Sequence, residues 1–216
     1  MLALGVSQAG SLSATQVERL STADIAGMNT SAVAALTAGA MGGLSSTQMS
    51  AMTTAQVAAL TTAQVRLMST TQTSALTSEQ VSALRTDQVV ALTTVQAAAL
   101  DSSQLQALTT QQVKALETAD LAAIRSSQLA GFSGLQIGSL NTDQLIALTT
   151  GQVAALTSQQ LNSLNTSVLQ AMETVEYTSH IGQLHAFSTR RACPVCDTSY
   201  AELDPRLFSY NSKHGW

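Results

Sequence analysis

Apolar side chains recur along most of this chain in one pattern with a period of eight residues. Cut from Ala3, the chain gives 21 consecutive octads that end at Gln170. The second place of every octad is Leu, Met, Ile or Phe, and the seventh is aliphatic or Met except at Thr73. A fixed short period of this kind is typical of an array in which each unit covers its neighbour's apolar face.

The period of eight fits neither a continuous helix nor a flat strand. At 3.6 residues per turn, eight residues advance an apolar stripe by about 80°, so the Leu column would spiral around one long helix. In a strand, Leu60 and Val65 would lie on opposite faces of the pleat because five places separate them. Neither continuous backbone keeps both apolar columns on one face.

The polar places of the octad supply helix boundaries. From the third place the consensus is Thr-Thr-x-Gln, which matches the capping box, and Gln holds the sixth place in 16 of the 21 octads. The Thr hydroxyl accepts from the backbone N–H three residues on, and the Gln side chain reaches back to the cap residue's own N–H. We therefore interpret the Gln column as caps and not as a ligand-binding ladder. Each octad is predicted to be a one- to two-turn helix through x-Gln-Val-x-Ala-Leu, on which Val57 and Leu60 share a face.

Helices this short need stacking to be stable, since isolated helices below about 12 residues are marginal in water. The sequence predicts an all-α solenoid of very short capped helices over residues 3–172. The second- and seventh-place columns should face inward, and the fourth, fifth and eighth places outward. A β-solenoid, favoured by the Thr and Val content, is the alternative, and low-complexity disorder is a third interpretation. The methionines that fall in the two core columns are Met28, Met41, Met49, Met52 and Met68.

The composition leaves little material for chemistry within the array. Charged residues make up 10% of the chain and the net charge is −4, so there is no basic surface for nucleic acid or an anionic membrane. No run approaches the roughly 20 apolar residues of a spanning helix, and the N-terminus lacks the basic region of a signal peptide. Neither Lys114 nor Lys213 follows a glycine, which excludes a GxxxxGK[ST] nucleotide loop. These observations predict a non-catalytic structural or interaction scaffold.

The octads also resemble sequences from known proteins. Units such as Ala147-Leu-Thr-Thr-Gly-Gln-Val-Ala154 resemble the LTTxQ-type octad tracts of large bacterial surface or secreted proteins, some of them labelled as haem-utilisation or adhesion proteins. Residues 3–170 contain no His or Cys that could ligate haem iron. The resemblance implies a scaffold within a larger bacterial protein, whose partner is an unidentified protein or a second copy of the array.

The composition changes after about Met172. The last 44 residues hold six of the seven aromatic residues, both prolines and the only two cysteines, Cys193 and Cys196. In a tight turn, the CxxC spacing can place two thiolates about one zinc ion, so these cysteines are the candidate metal ligands. A redox pair is the alternative for the same spacing, although the βαβ setting of such a pair is missing.

Residues 187–216 carry a more specific resemblance. Phe187-Ser-Thr-Arg-Arg-Ala-Cys-Pro-Val-Cys196, followed by Glu202-Leu-Asp-Pro-Arg-Leu-Phe-Ser-Tyr-Asn-Ser-Lys-His-Gly-Trp216, resembles the first zinc-binding segment of the UvrA family of excinuclease proteins. Members of that family are DNA-damage-recognising ABC ATPases of nucleotide excision repair. The resemblance implies a small irregular zinc-ribbon fragment, Cys193 and Cys196 as zinc ligands, DNA as a partner and a cytoplasmic location.

Two departures from the UvrA pattern affect this interpretation. Asp197 stands where the family has Gly, and the chain stops at Trp216, where a second cysteine pair would begin. The family's nucleotide loop and signature motif are absent. We therefore expect a linker at residues 173–186, an incomplete zinc-binding segment at 187–216 and no nucleotide site. A chimeric or truncated reading frame and a natural fusion are both open, and a fragment of a DNA-repair protein is the alternative to the scaffold.

Overall fold

The computed structural model describes residues 4–164, which form twenty α-helices of four to six residues and no strand. The all-α solenoid is confirmed for these residues, and the β-solenoid alternative is wrong for them. The expected linker at 173–186 and the segment at 187–216 lie outside the described residues.

One helix begins in each of the first twenty octads. The helices run over Val6–Ala9 (α1), Ala14–Glu18 (α2), Thr22–Ala26 (α3), Thr30–Ala35 (α4), Ala38–Gly42 (α5), Ser46–Ala51 (α6), Thr54–Ala59 (α7), Thr62–Leu67 (α8), Thr70–Ser74 (α9), Ser78–Ser82 (α10), Thr86–Val90 (α11), Thr94–Ala99 (α12), Ser102–Ala107 (α13), Thr110–Ala115 (α14), Thr118–Ala123 (α15), Ser126–Leu129 (α16), Gly134–Gly138 (α17), Thr142–Ile146 (α18), Thr150–Ala155 (α19) and Ser158–Asn162 (α20).

The residue at the third place of the octad is the N-cap of each described helix. At α7, Thr53 is extended (φ −73°, ψ 157°) and its hydroxyl accepts from the N–H of Gln56 at 3.2 Å. The helix therefore begins at the fourth place, one residue earlier than the sequence pattern suggested. It ends before Leu60, which is extended (φ −55°, ψ 140°) although the sequence placed it inside the helix. The N–H of Leu60 donates to the carbonyl of Val57 at 3.2 Å, which closes the last turn.

The helices wind into a solenoid in which each packs against the third helix before it and the third after it. Helix α7, for example, contacts α4 and α10. Side-chain amides also reach main-chain carbonyls 28 residues earlier in the chain, as from Gln56 to Met28. One turn of the solenoid therefore takes between three and four octads.

The core consists mainly of the two predicted apolar columns, which join into one continuous cluster together with Ala32 and Ala40 of the sixth place. Val57 and Leu60 are fully buried, and all five methionines expected in the core columns are buried too. Thr73, the one hydroxyl in the seventh-place column, is also fully buried. Its hydroxyl donates to the carbonyl of Ser69 at 3.0 Å, so the buried polar atom is satisfied within its own helix.

Candidate functional site

The sixth-place glutamines form the most extensive buried polar feature of the described residues. Gln56 is 2% exposed, although glutamine is a residue that proteins mostly leave on the surface. The glutamines of this column that are buried are Gln48, Gln56, Gln64, Gln72, Gln80, Gln88, Gln96, Gln104, Gln112, Gln128, Gln136, Gln144, Gln152 and Gln160. We call this set the glutamine column.

The side chain of each glutamine in the column bonds to the main chain at two sites, one in its own octad and one in an earlier turn. In α7, Oε1 of Gln56 accepts from the N–H of Thr53 at 2.7 Å, which completes the capping box. Its Nε2 donates to the carbonyls of Ile25 and Met28, both at 2.7 Å. Those carbonyls lie at the end of α3. The Ile25 carbonyl also accepts from the N–H of Met28, whereas the Met28 carbonyl lies beyond the last turn, where a helix leaves acceptors without an internal partner. One side chain therefore closes the start of one helix and the end of another.

The bond to the carbonyl 28 residues earlier recurs throughout the glutamine column, from Gln48 to Leu20 up to Gln160 to Phe132. Fourteen glutamines make this bond. With Oε1 and Nε2 both engaged, the column offers no polar atom to a ligand. Its chemistry is to hold successive turns together.

The octad pattern predicts the cap role of these glutamines but neither their burial nor their second bond. A signal for both was present in the residue type. A capping box accepts Glu or Gln at this place because it needs only a side-chain oxygen. The sixth place of this chain has Gln in 16 octads and Glu in none. Exclusion of Glu indicates that the amide N–H, which a carboxylate lacks, is also used.

Apart from Asp120, which is buried, the charged residues of the described array are exposed or half-buried. Arg85 and Asp87 form an ion pair at 3.0 Å, with about half of each side chain exposed. The Arg85 hydrogen bond lowers the pKa of Asp87 below its ordinary value. Asp87 also lines an open groove together with Arg66 and Glu117. Opposite charges in an open groove form a solvated face, which agrees with the outward orientation predicted for the fifth place of the octad, where Asp87 stands.

The predicted zinc ligands, Cys193 and Cys196, lie outside the described residues, and so do His180, His185 and His214. Residues 4–164 contain no group of three or more His, Cys, Asp or Glu side chains that could hold a metal ion. Within the same range, every helix is too short or too polar to cross a membrane.

The octads match a known repeat family. The family model of the ALTTAQ repeat matches residues 17–54, 33–62, 50–86, 62–94 and 113–150, which together make up more than half of the chain. The chain belongs to the ALTTAQ repeat family. The six letters of the repeat stand unchanged at Ala59-Leu-Thr-Thr-Ala-Gln64. In this ALTTAQ protein the letters comprise the buried Leu of the core, the N-cap Thr and the Gln that joins two turns.

A short segment of the chain is similar to a DNA-repair protein, which confirms the second resemblance seen in the sequence. UvrABC system protein A of Neisseria meningitidis serogroup A and that of Neisseria gonorrhoeae are each 59% identical over 34 residues. The Xylella fastidiosa Temecula1 protein is 58% identical over 31 residues. These matches cover 14–16% of this chain and 3–4% of the relatives, so the chain matches a small fraction of their length. No solved structure matches the chain.

Proposed function

We propose that this ALTTAQ-repeat chain is a non-catalytic scaffold whose outward octad places form the contact surface for a protein partner. The glutamine column carries the proposal. Its polar atoms, buried at 14 places, are committed to bonds within and between turns. A buried polar network that is fully satisfied stabilises one arrangement of a core and offers no unpaired group for catalysis.

The outward places supply the variation that recognition of a partner requires. The fifth place holds Ala55 in one octad, and Val95 and Leu135 in others. Val95 is 65% exposed and Leu135 is 80% exposed. The surface therefore changes from octad to octad while the Leu, Val and Gln columns beneath it stay the same. Repeat proteins use this division between a constant core and a variable face to present extended binding surfaces.

Nucleotide and DNA binding by the purified 216-residue chain test the non-catalytic part of this proposal. A fluorescent ATP analogue with Mg²⁺ should show no saturable binding, and phosphate release should stay at the level of a buffer control. A fluorescently labelled DNA duplex should not bind at low salt, because the net charge of −4 opposes association with phosphates. ATP hydrolysis above the level of the protein-free buffer control would overturn the scaffold.

The second candidate is a fragment of a UvrA-like repair protein, favoured by the 59% identity over 34 residues. On this proposal Cys193 and Cys196 bind zinc, and the segment contacts DNA. DNA binding by the 216-residue chain that weakens with salt and on zinc removal supports this second candidate. Binding that is absent at all salt concentrations favours the scaffold.

Zinc titration tests the metal part of the second candidate separately. Structural zinc takes four ligands, and this chain supplies two cysteines. We expect weak zinc binding that Cys193→Ser or Cys196→Ser abolishes, and no loss in the matched variant His180→Ala. One tightly held zinc per chain would contradict an incomplete site.

A further inference from the structure

Asp120 interrupts the glutamine column. It stands at the sixth place of its octad, in α15, between Gln112 and Gln128. Its side chain is as buried as those glutamines, at 1% exposed. Yet Oδ2 of Asp120 has no hydrogen-bond partner, alone among the buried side-chain oxygen and nitrogen atoms of the described residues.

The carbonyl opposite this place also lacks its usual donor. Nε2 of Gln112 donates to the carbonyl of Leu84 at 2.6 Å, and Gln128 donates in the same way to Leu100. The corresponding carbonyl for residue 120 is that of Leu92, 28 positions earlier, and no glutamine amide reaches it. By the register of the repeat, Oδ2 of Asp120 and the Leu92 carbonyl therefore correspond to the donor and the acceptor of the bonds that Gln112 and Gln128 make in the flanking octads.

The start of α15 is weakened by the same substitution. Its N-cap is Glu117, whose side chain makes no cap hydrogen bond, and the side-chain bond to the N-cap N–H that Gln112 and Gln128 make in the flanking helices is missing. The helix packs against α12, whose Thr94 side chain lowers the pKa of Asp120. A carboxylate can only accept hydrogen bonds, whereas a protonated carboxyl group has one O–H to donate.

The surroundings of Asp120 favour the neutral acid. Burial raises the pKa of Asp120 above its ordinary value, the hydroxyl of Thr94 acts in the opposite direction, and the charge of Glu117 raises it further. Of the helices packed against α15, α12 carries no ionisable side chain and α18 carries Asp143. Helix α11, which precedes Leu92, carries Asp87 paired with Arg85.

We propose that Asp120 is a proton-dependent link between successive turns of the solenoid. When Asp120 is protonated, its carboxyl O–H donates to the Leu92 carbonyl, in place of the missing glutamine amide. When the proton passes to water, a buried carboxylate is left beside a carbonyl oxygen, and the contact of α15 with α12 loosens. The array then has one place at which pH controls its stiffness, between two segments whose glutamine links do not titrate.

The direction of the pH dependence follows from proton binding. Because the folded state holds the proton of Asp120 more tightly than the unfolded state does, folding is favoured most below the ordinary carboxyl range. That contribution is lost as the pH rises through the raised pKa of the folded protein. At higher pH the free-energy cost of the buried Asp120 carboxylate stays constant, and only substitution of Asp120 removes it.

Urea unfolding of the full chain between about pH 4 and about pH 8 tests the link. Asp120→Gln, which restores the column, should raise the unfolding midpoint at high pH and lose most of this advantage at low pH. Gln112→Asp, the matched control, should install a second pH-dependent loss of the same sign. An advantage of Asp120→Gln that is equal at both ends of the range would overturn the proposal.

Asp120→Ala separates the missing donor from the buried charge. It removes the carboxylate and supplies no donor, so its midpoint at high pH should fall between those of the natural chain and Asp120→Gln. A midpoint equal to that of Asp120→Gln would show that the charge alone matters and would refute the bond to Leu92. A carboxyl ¹³C titration of Asp120 gives a second readout, and a midpoint at or below the ordinary value of 3.8 would refute the protonated state.

Discussion

The side-chain amide of Gln56 lies 2.7 Å from the carbonyl oxygen of Met28, a residue 28 positions earlier in the chain. The same side chain accepts from the N–H of Thr53, so it joins its own helix start to the turn below. Apolar packing alone permits neighbouring turns to slide, because it has no direction. A hydrogen bond with a fixed partner sets the register between turns.

Removal of one such link between turns should lower the free energy of unfolding more than removal of a helix cap alone. In Gln80→Ala, the N–H of Thr77 and the carbonyl of Met52 lose their partner, whereas the carbonyl of Met49 keeps the N–H of Met52. A buried group left without a partner costs about 1–3 kcal/mol, so we expect a loss of about 2–4 kcal/mol measured by urea unfolding.

Gln16→Ala is the matched control for Gln80→Ala. Gln16 makes the same capping box with Ser13 but is exposed, and the described residues include no earlier turn for its amide to reach. Gln16→Ala should lower the free energy of unfolding by about 0.5–1 kcal/mol, within the range of a cap on an exposed helix. Equal losses for the two variants would show that the bonds between turns contribute nothing.

The local structure of the octad follows from its sequence, but the pairing of turns does not. Thr53 as a cap and Val57 and Leu60 as core residues can be predicted because each interaction spans at most eight residues. The partner of Gln56 at Met28 depends on how many octads make one turn. That number is set by the angles between consecutive helices, and a strict period of eight is compatible with many values of it.

The two acids at the sixth place also show that the octad sequence does not predict contacts between turns. Asp24 and Asp120 occupy identical places in the octad, and each is followed by a buried aliphatic residue of the seventh-place column. Asp24 bonds to the hydroxyl and the N–H of Ser21, which lowers its pKa. Asp120 is covered by another turn, and burial raises its pKa. The N-cap residue, Ser21 or Glu117, is visible in the octad itself, but the burial of Asp120 depends on position along the solenoid, about which a single octad contains no information.

The N-cap prediction can be tested in the middle of the array. Thr93 accepts from the N–H of Gln96, and its hydroxyl donates to Oε1 of the same residue. Thr93→Ala should therefore lower the free energy of unfolding by about 0.5–2 kcal/mol. Val95, two residues later, is 65% exposed, and Val95→Ala should change stability by less than about 0.5 kcal/mol. A loss at Val95 as large as that at Thr93 would contradict the assigned register.

The helical content of the chain is directly measurable. With twenty helices and no strand in residues 4–164, far-UV circular dichroism of the full chain should show the double minimum of α-helix. Because helices this short depend on stacking, the signal should disappear in one cooperative transition with urea. A single minimum typical of β-sheet would exclude the α-solenoid.

The last prediction concerns two adjacent glycines at the end of α5. Gly43 has ordinary right-handed dihedral angles (φ −80°, ψ −10°), close to those of Ala75 at the same place of another octad (φ −82°, ψ −11°). Its backbone therefore tolerates alanine. A Cβ atom at Gly43, however, would overlap the main chain of Ala14 in the turn below. Gly43→Ala should cost about 1–3 kcal/mol because the two turns must separate.

Gly42→Ala, one residue earlier, is the matched control. Nothing lies within 4 Å of a Cβ atom at Gly42, which is the last residue of the helix. Since alanine is favoured over glycine in helices by up to about 1 kcal/mol, Gly42→Ala should stabilise the chain or leave it unchanged. Urea unfolding of both variants would give opposite signs if neighbouring turns approach as closely as the structure places them. A gain in stability at Gly43 would mean that α5 and α2 stand farther apart, and that the consensus alanine fits this octad as well as any other.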